Sequence, residues 1–422
     1  VEKMPVKSIT GKINFFLLCL LSAFPILPFR LAPFVIAGWC ISCLFVFDLS
    51  AFRKRKKIAL LIIFILPFIL HLVSLAANPR DGELWFIVEK KMAIFFVPVF
   101  VFISARNLHR QRMGTVFNVY LAAALVSALM ANLNIILKKT EIFSLTGDDF
   151  SYAYRTALED FSGFHPTYFA MVMLFGSLML IWSLLSGFRS TLYGPVVYRS
   201  VAACILLGAG MLAGARTPLA AFGISTLLLL AGHWSTVKKQ AWPVAAFGAL
   251  LVLIFFLSPL RNRSLEFAGV KPDNITVDEK NTLNIRTGIY HCSLSLIKNN
   301  WFTGVGPGEV QRKLNSCYEQ YPTNVYRLNN YNTHNEYLNH WLSFGIAGLL
   351  AFLMIFLMPA YFGLQEKQFI YPLFLLFMFI CCMTENLLAR QTGVIFYTFF
   401  NSLLAFTGDP PLIISKSKEA ES

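Results

Sequence analysis

The chain has 422 residues, 56% of them hydrophobic and 14% charged, against roughly 25% charged in an ordinary soluble domain. That composition argues against a soluble fold, and 41 phenylalanines with glycine and proline spread along the chain argue against disorder and solenoid repeats. The net charge of +14 is not read as a nucleic-acid signature, because the basic residues sit in short runs between apolar stretches.

Apolar runs and their breaks lie near 13–29, 31–48, 58–76, 86–104, 114–136, 166–186, 200–215, 217–233, 242–258, 336–358, 369–386 and 393–407. They predict an all-α polytopic membrane protein with about 12 transmembrane helices and both termini on one side. The first run is followed too closely by the second, and by no small-residue cleavage pattern, to read as a cleaved signal peptide. With the N-terminus inside, Lys3, Lys7, Lys12, Arg53–Lys57, Arg106, Arg110, Arg112, Arg189, Arg199, Lys238, Lys239, Lys367, Lys416 and Lys418 fall on the inner side. The outer loops and span ends keep Arg30, Arg80, Lys138, Lys139, Arg155, Arg216 and Arg390, as positive-inside loops require. The expected division is nine spans over 1–258, a large outer loop with short helices over 259–335, and the last three spans with a tail over 336–422.

That loop carries nine Lys/Arg against six Asp/Glu on the face where positive charge is normally depleted, and an anionic ligand is one explanation. Within it Tyr290, Leu294, Ile297 and Trp301 recur at amphipathic-helix spacing, with Arg286 one turn earlier on the same face. The helix is predicted to stop at Asn299-Asn300, and Gly304-Val305-Gly306-Pro307-Gly308 then reads as a tight turn. Of the eight cysteines, six lie inside apolar stretches without metal spacing. Cys292 and Cys317 share the long loop and can pair if it faces an oxidising compartment.

Arg216 sits in the short hairpin Ala213-Gly214-Ala215-Arg216-Thr217-Pro218, at or within the outer membrane boundary. An intramembrane cation is a functional candidate by default. The alternative is an arginine snorkelling to lipid headgroups, and the small neighbours favour the functional reading. Arg286 offers a planar fork to a phosphate, so that with Arg216 it would clamp a pyrophosphate; a solvated loop arginine is the plainer reading. His334, in Thr333-His334-Asn335-Glu336-Tyr337-Leu338 where the loop re-enters the membrane, suits general-base work on a sugar hydroxyl, against the plainer role of a hydrogen-bonded cap; Asn335 beside it joins the candidate binding set. His165 before Pro166 reads equally as a helix start or a site-lining residue. Lys90, Lys91 and Arg390 are weaker anion-site candidates, and Glu89 and Glu385 are read as structural charges that need partners.

There is no P-loop, HExxH, GxSxG or DxD-like carboxylate pair. The expected chemistry therefore uses no metal and no cofactor, and a donor that brings its own leaving group to the outer face.

Ala215-Arg216 at a hairpin, Arg286 before an amphipathic helix, Gly304-Val305-Gly306-Pro307-Gly308, and His334-Asn335-Glu336-Tyr337-Leu338 with Gly345-Ile346-Ala347-Gly348 together resemble the O-antigen ligase family. The likeness covers roughly residues 200–358, and its most specific part is the His-Asn-x-x-Leu to Gly-x-x-Gly segment. The resemblance implies a multi-spanning glycosyltransferase of the lipid-linked-donor type in a bacterial inner membrane. It would move a glycan from undecaprenyl diphosphate to a lipid A-core sugar hydroxyl at the periplasmic face, with His334 as base and Arg216 and Arg286 on the diphosphate. Related O-antigen or exopolysaccharide polymerases and protein O-oligosaccharyltransferases share these motifs and differ in acceptor. A transporter is the rival from another class, but it would show internal repeats and broken midplane helices, and no repeat is visible.

Overall fold

The structure is a computed structural model that describes residues 6–28, 30–47, 52–105, 108, 110–145, 147–186, 194–239, 282–321 and 323–409. All secondary structure among these residues is helical. The helices are α1 Val6–Ser22, α2 Ala32–Leu44, α3 Arg55–Ala77, α4 Gly82–Ser104, α5 Arg110–Lys138, α6 Gly147–Ser162, α7 Pro166–Leu185 and α8 Val196–Leu212. They continue with α9 Arg216–Gly232, α10 Trp234–Lys239, α11 Thr282–Asn300, α12 Val310–Tyr318, α13 Val325–Asn329, α14 Glu336–Gln365, α15 Ile370–Cys381 and α16 Gln391–Thr407.

The expectation of about 12 transmembrane helices is corrected. Among the described residues, four helices are long and apolar enough to cross a membrane: Arg55–Ala77, Arg112–Lys138, Pro166–Leu185 and Glu336–Gln365. Five other apolar helices run 10–17 residues, at most about 26 Å at 1.5 Å per residue, short of a hydrocarbon core of roughly 30 Å. An apolar run counts residues, whereas a helix ends where its backbone turns: the run predicted at 369–386 holds a helix of only 12 residues, α15, because the chain turns inward at Cys382. α4 is long enough, but Glu89, Lys90 and Lys91 interrupt it. The run at 242–258 lies outside the described residues, as do Arg261, Arg263, Lys271 and Lys280 of the long loop. The inner-outer tally of basic residues depended on the twelve-span map and lapses with it. Four long apolar helices remain consistent with a multi-pass membrane protein.

α7 is the axis of the bundle. Nearly the whole of it is buried, and such a helix, apolar all round, belongs in the middle; α8 and α9 pack against it. α3 lies at the periphery between α4 and α14, showing Ile62, Leu72 and Val73 outward. Phe175 of α7, Phe374 of α15 and Phe396 and Phe400 of α16 form an aromatic knot with centroids 4.9–5.9 Å apart, a range in which rings attract beyond simple burial. Asp409 accepts from the N–H groups of Ile370 and Tyr371 at 3.1 Å each, closing the exposed donors at the start of α15.

A second, smaller core lies in the segment after residue 282. Ile285, Ile289, Cys292 and Ile297 of α11 pack on Val310 and Leu314 of α12 and on Leu342 of α14, and a Cys292–Cys317 disulfide with a Cα–Cα distance of 5.8 Å ties α11 to α12. α11 ends at Asn300, where the sequence predicts. The expected stripe divides, however, with Ile297 buried while Leu294 and Trp301 are exposed.

The glycines of the two motifs explain how this small core docks. α14 breaks at Phe344 and Gly345, which frees the Leu342 carbonyl and the Ile346 N–H; Val305 N–H donates to the first at 2.7 Å and Trp301 carbonyl accepts from the second at 2.9 Å. Gly304 and Gly345 both have positive φ, and a Cβ on either would sit within 2.7 Å of the facing backbone. Only glycine permits that approach, so the turn at 304–308 locks α11 onto α14.

Candidate functional site

The docking of α11 on α14 sets Arg286 and His334 against one short segment, 382–390, between α15 and α16. Arg286 Nη2 donates to Glu385 Oε1 at 3.2 Å. The other carboxylate oxygen faces His334 Nδ1 at 3.5 Å, long for a hydrogen bond, as catalytic contacts without substrate often are. One turn beyond Arg286, Tyr290 Oη donates to the carbonyls of His334 at 3.4 Å and Met383 at 3.5 Å. A single face of α11 therefore touches both halves of the His334–Glu385 pair.

His334 has φ 43°, a conformation costly for most side chains and concentrated at functional sites. Its neighbours hold it there. Asn332 Oδ1 accepts from His334 N–H at 3.0 Å, and Asn386 Oδ1 accepts from Thr333 Oγ1 at 3.0 Å and from Asn335 N–H at 2.7 Å. Asn335 also caps α14, its Oδ1 accepting from Leu338 N–H at 3.1 Å. The residues before and after the histidine are thus fixed to one asparagine, and the imidazole projects between them, 25% exposed. Glu385 and Arg286 are 15% and 29% exposed. All three side chains are partly exposed.

Burial opposes charge on Glu385, but the contact with His334 and the charge of Arg286 outweigh it and hold the carboxyl below the usual carboxylate range. His334 Nδ1 has no hydrogen-bond partner at this distance; a carboxylate that closed on it would fix the ring's tautomer and orientation and leave the other nitrogen to take a proton.

Arg216 opens α9, and the next residue ties it to the site: Thr384 Oγ1 donates to Thr217 Oγ1 at 2.6 Å. His165 caps α7, its Nδ1 accepting from Thr167 N–H at 3.4 Å, and it lies in the electrostatic range of Glu385, Arg390, Arg155 and His334. The helix-start reading of His165 applies. Burial first, then the nearby arginines, pulls its imidazole down to about 4 against the pull of Glu385.

The weaker candidates make other contacts. Arg390 Nη1 faces Glu159 Oε1 at 3.8 Å on the surface, and Lys90 Nζ lies 3.7 Å over the Phe86 ring. Lys91 is buried, near Glu336, His71 and His340 rather than among the exposed groups. A cleft of about 690 Å³ between the α3–α4 turn and the 305–309 turn is lined by Arg80, Asp81 and Arg312 and by none of the site residues.

Sequence reasoning treats Glu385 as a structural charge; the structure makes it the residue on which Arg286 and His334 meet. The signal was there as Thr384-Glu385-Asn386 breaking an apolar frame, but its partners stand 51 and 99 positions away. Asn386 was missed for the same reason. Among the described residues, no group of three or more His, Cys, Asp or Glu is placed to hold a metal ion.

No curated protein matches the chain. Residues 201–353 match a family model described as O-Antigen ligase. That stretch contains Arg216, Arg286 and His334, while Glu385 and His165 lie outside it. Over this stretch the chain is similar to the O-antigen ligase family.

Proposed function

We propose that this membrane protein transfers a glycan from undecaprenyl diphosphate to a sugar hydroxyl on lipid A-core, at the periplasmic face of a bacterial inner membrane. The observation that carries the reading is the meeting of His334, Glu385 and Arg286 at a water-accessible point, with two of the three inside the matched family stretch. The disulfide in the same segment supports an oxidising compartment on that side.

In this mechanism His334, oriented by Glu385, takes the proton of the acceptor hydroxyl. The hydroxyl oxygen bonds to the anomeric carbon as the bond from that carbon to the diphosphate oxygen breaks, and the undecaprenyl diphosphate leaves. A single displacement of this kind inverts the anomeric centre. Arg216 and Arg286 hold the diphosphate and stabilise the charge that grows on it; Arg286 shares its fork between Glu385 and the phosphate. Positioning and electrostatics supply the rate, without a metal.

The test is transfer by purified protein with an undecaprenyl-diphosphate-linked glycan and a lipid A-core acceptor in the presence of a chelator, beside H334A. Product from the wild type and none from the variant supports the reading. Lengthening of the donor glycan instead would make the protein a polymerase, and donor binding with neither product would favour a transporter.

A further inference from the structure

Two residues past His334, Glu336 is wholly buried at the first position of α14, and each of its polar ends grips the segment that carries Glu385. Its N–H donates to the Cys382 carbonyl at 3.0 Å, and its Oε2 accepts from Leu388 N–H at 3.1 Å. The two anchor points bracket Glu385 three residues away on either side. Its Oε1 faces His340 Nε2 at 3.4 Å, and Lys91 of α4, whose Nζ has no hydrogen-bond partner, lies in its electrostatic range. His340 is itself stacked on Phe352 at 4.5 Å and lies 6.1 Å, ring to ring, from His71 of α3. Lys91, Glu336, His340 and His71 are each no more than 4% exposed, so no substrate reaches them.

Burying a carboxylate and an ammonium costs several kcal/mol of desolvation, and replacing such a pair by apolar residues is often neutral or stabilising. The pair is therefore poorly explained as a source of stability, whereas its bonds to the 382–388 segment give it a use. We propose that Glu336 is a positioning residue: its backbone and carboxylate fix the 382–388 segment so that Glu385 meets His334, and Lys91 is the buried counter-charge that lets the carboxylate stay there. The inference rests on the reading of His334 as the base and adds the means by which that base is oriented.

The test compares two double variants of the full chain, since a single change would strand one buried charge. K91M/E336Q removes both charges but keeps an oxygen to accept from Leu388 N–H. K91M/E336L removes the acceptor as well. The expected result is a kcat within about threefold of wild type for the first and at least tenfold lower for the second, the range typical of lost support for an active group, with KM for both substrates within about twofold. E336D keeps the charge and withdraws the carboxylate by one methylene; it is expected to lose at least tenfold in kcat even if the leucine variant fails to fold. Wild-type turnover in either K91M/E336L or E336D would overturn the proposal, as would equal losses in the glutamine and leucine doubles. Activity in H334A would instead overturn the function on which the proposal rests, so the two failures are distinguishable.

Discussion

Two charged clusters lie near the start of α14, and they are built to opposite rules. Arg286, His334 and Glu385 stand where water reaches them, with an arginine fork and an imidazole on one carboxylate. Lys91, Glu336, His340 and His71 are sealed between α3, α4 and α14, each no more than 4% exposed; Lys91 Nζ, Glu336 Oε1 and both His340 ring nitrogens lack a hydrogen bond, as His334 Nδ1 of the open cluster also does. In the open cluster a lost partner is replaced by water at little cost to the fold, so its residues answer to function. In the closed one a lost partner leaves a charge with nothing around it. Changes in the first cluster should therefore cost turnover, and changes in the second should cost the fold unless charge is removed in pairs.

The largest effect is expected at His334. H334A should lower kcat by roughly 10²–10⁴, the usual worth of a general base, while its melting temperature stays within a few degrees of wild type. Unfolding of this variant would break the comparison, because the open cluster would then be holding the structure up. In the closed cluster, K91M alone leaves Glu336 buried without its counter-charge and should destabilise by about 3 kcal/mol, with K91M/E336Q recovering most of that in thermal melts. Equal destabilisation by single and double variants would show that the two side chains do not act as a pair.

The segment that presents Arg286 is stapled by Cys292–Cys317, which closes a 25-residue separation. Removing both thiols as C292S/C317S should cost roughly 3 kcal/mol in the chain-entropy account, read as earlier proteolysis of the segment around α11 and α12. His165 sharpens the comparison through pH. Its folded value of about 4 lies below the ordinary 6.5, so between these values the unfolded chain binds more protons and stability falls as pH drops through the window. The full extent is about 3 kcal/mol, and H165N should flatten the melting temperature between pH 6.5 and 4. Glu385, held below its usual range, stabilises above the ordinary carboxylate value and loses that contribution as pH falls through its own lowered one. The smallest effect is expected for R286K, which keeps a charge but loses the fork. A rise in donor KM of about tenfold would fit.

The open cluster was partly legible in the sequence. Arg286 and His334 carry motif neighbours, and Gly304 to Gly308 read as a tight turn. Glu385 and Asn386 have no local pattern to mark them, since their roles arise only when the segment after α15 folds back on α14. Lys91 shows the same limit. A lysine in an apolar helix reads either as half of an internal ion pair or as a weak anion-site candidate, and only the packing of α3, α4 and α14 shows it buried with Glu336 in its electrostatic range. The membrane map failed on a similar point, because hydropathy records how long the chain stays apolar and not where Ser22, Leu44 or Cys381 ends a helix.

His334 and Glu385 should act as one unit, and a double-mutant cycle on kcat would show it. With H334A, E385Q and the double variant assayed for glycan transfer, the account predicts that E385Q removes much of the activity on its own and almost none once His334 is gone. Losses that multiply independently, with E385Q costing the same factor in both backgrounds, would contradict it.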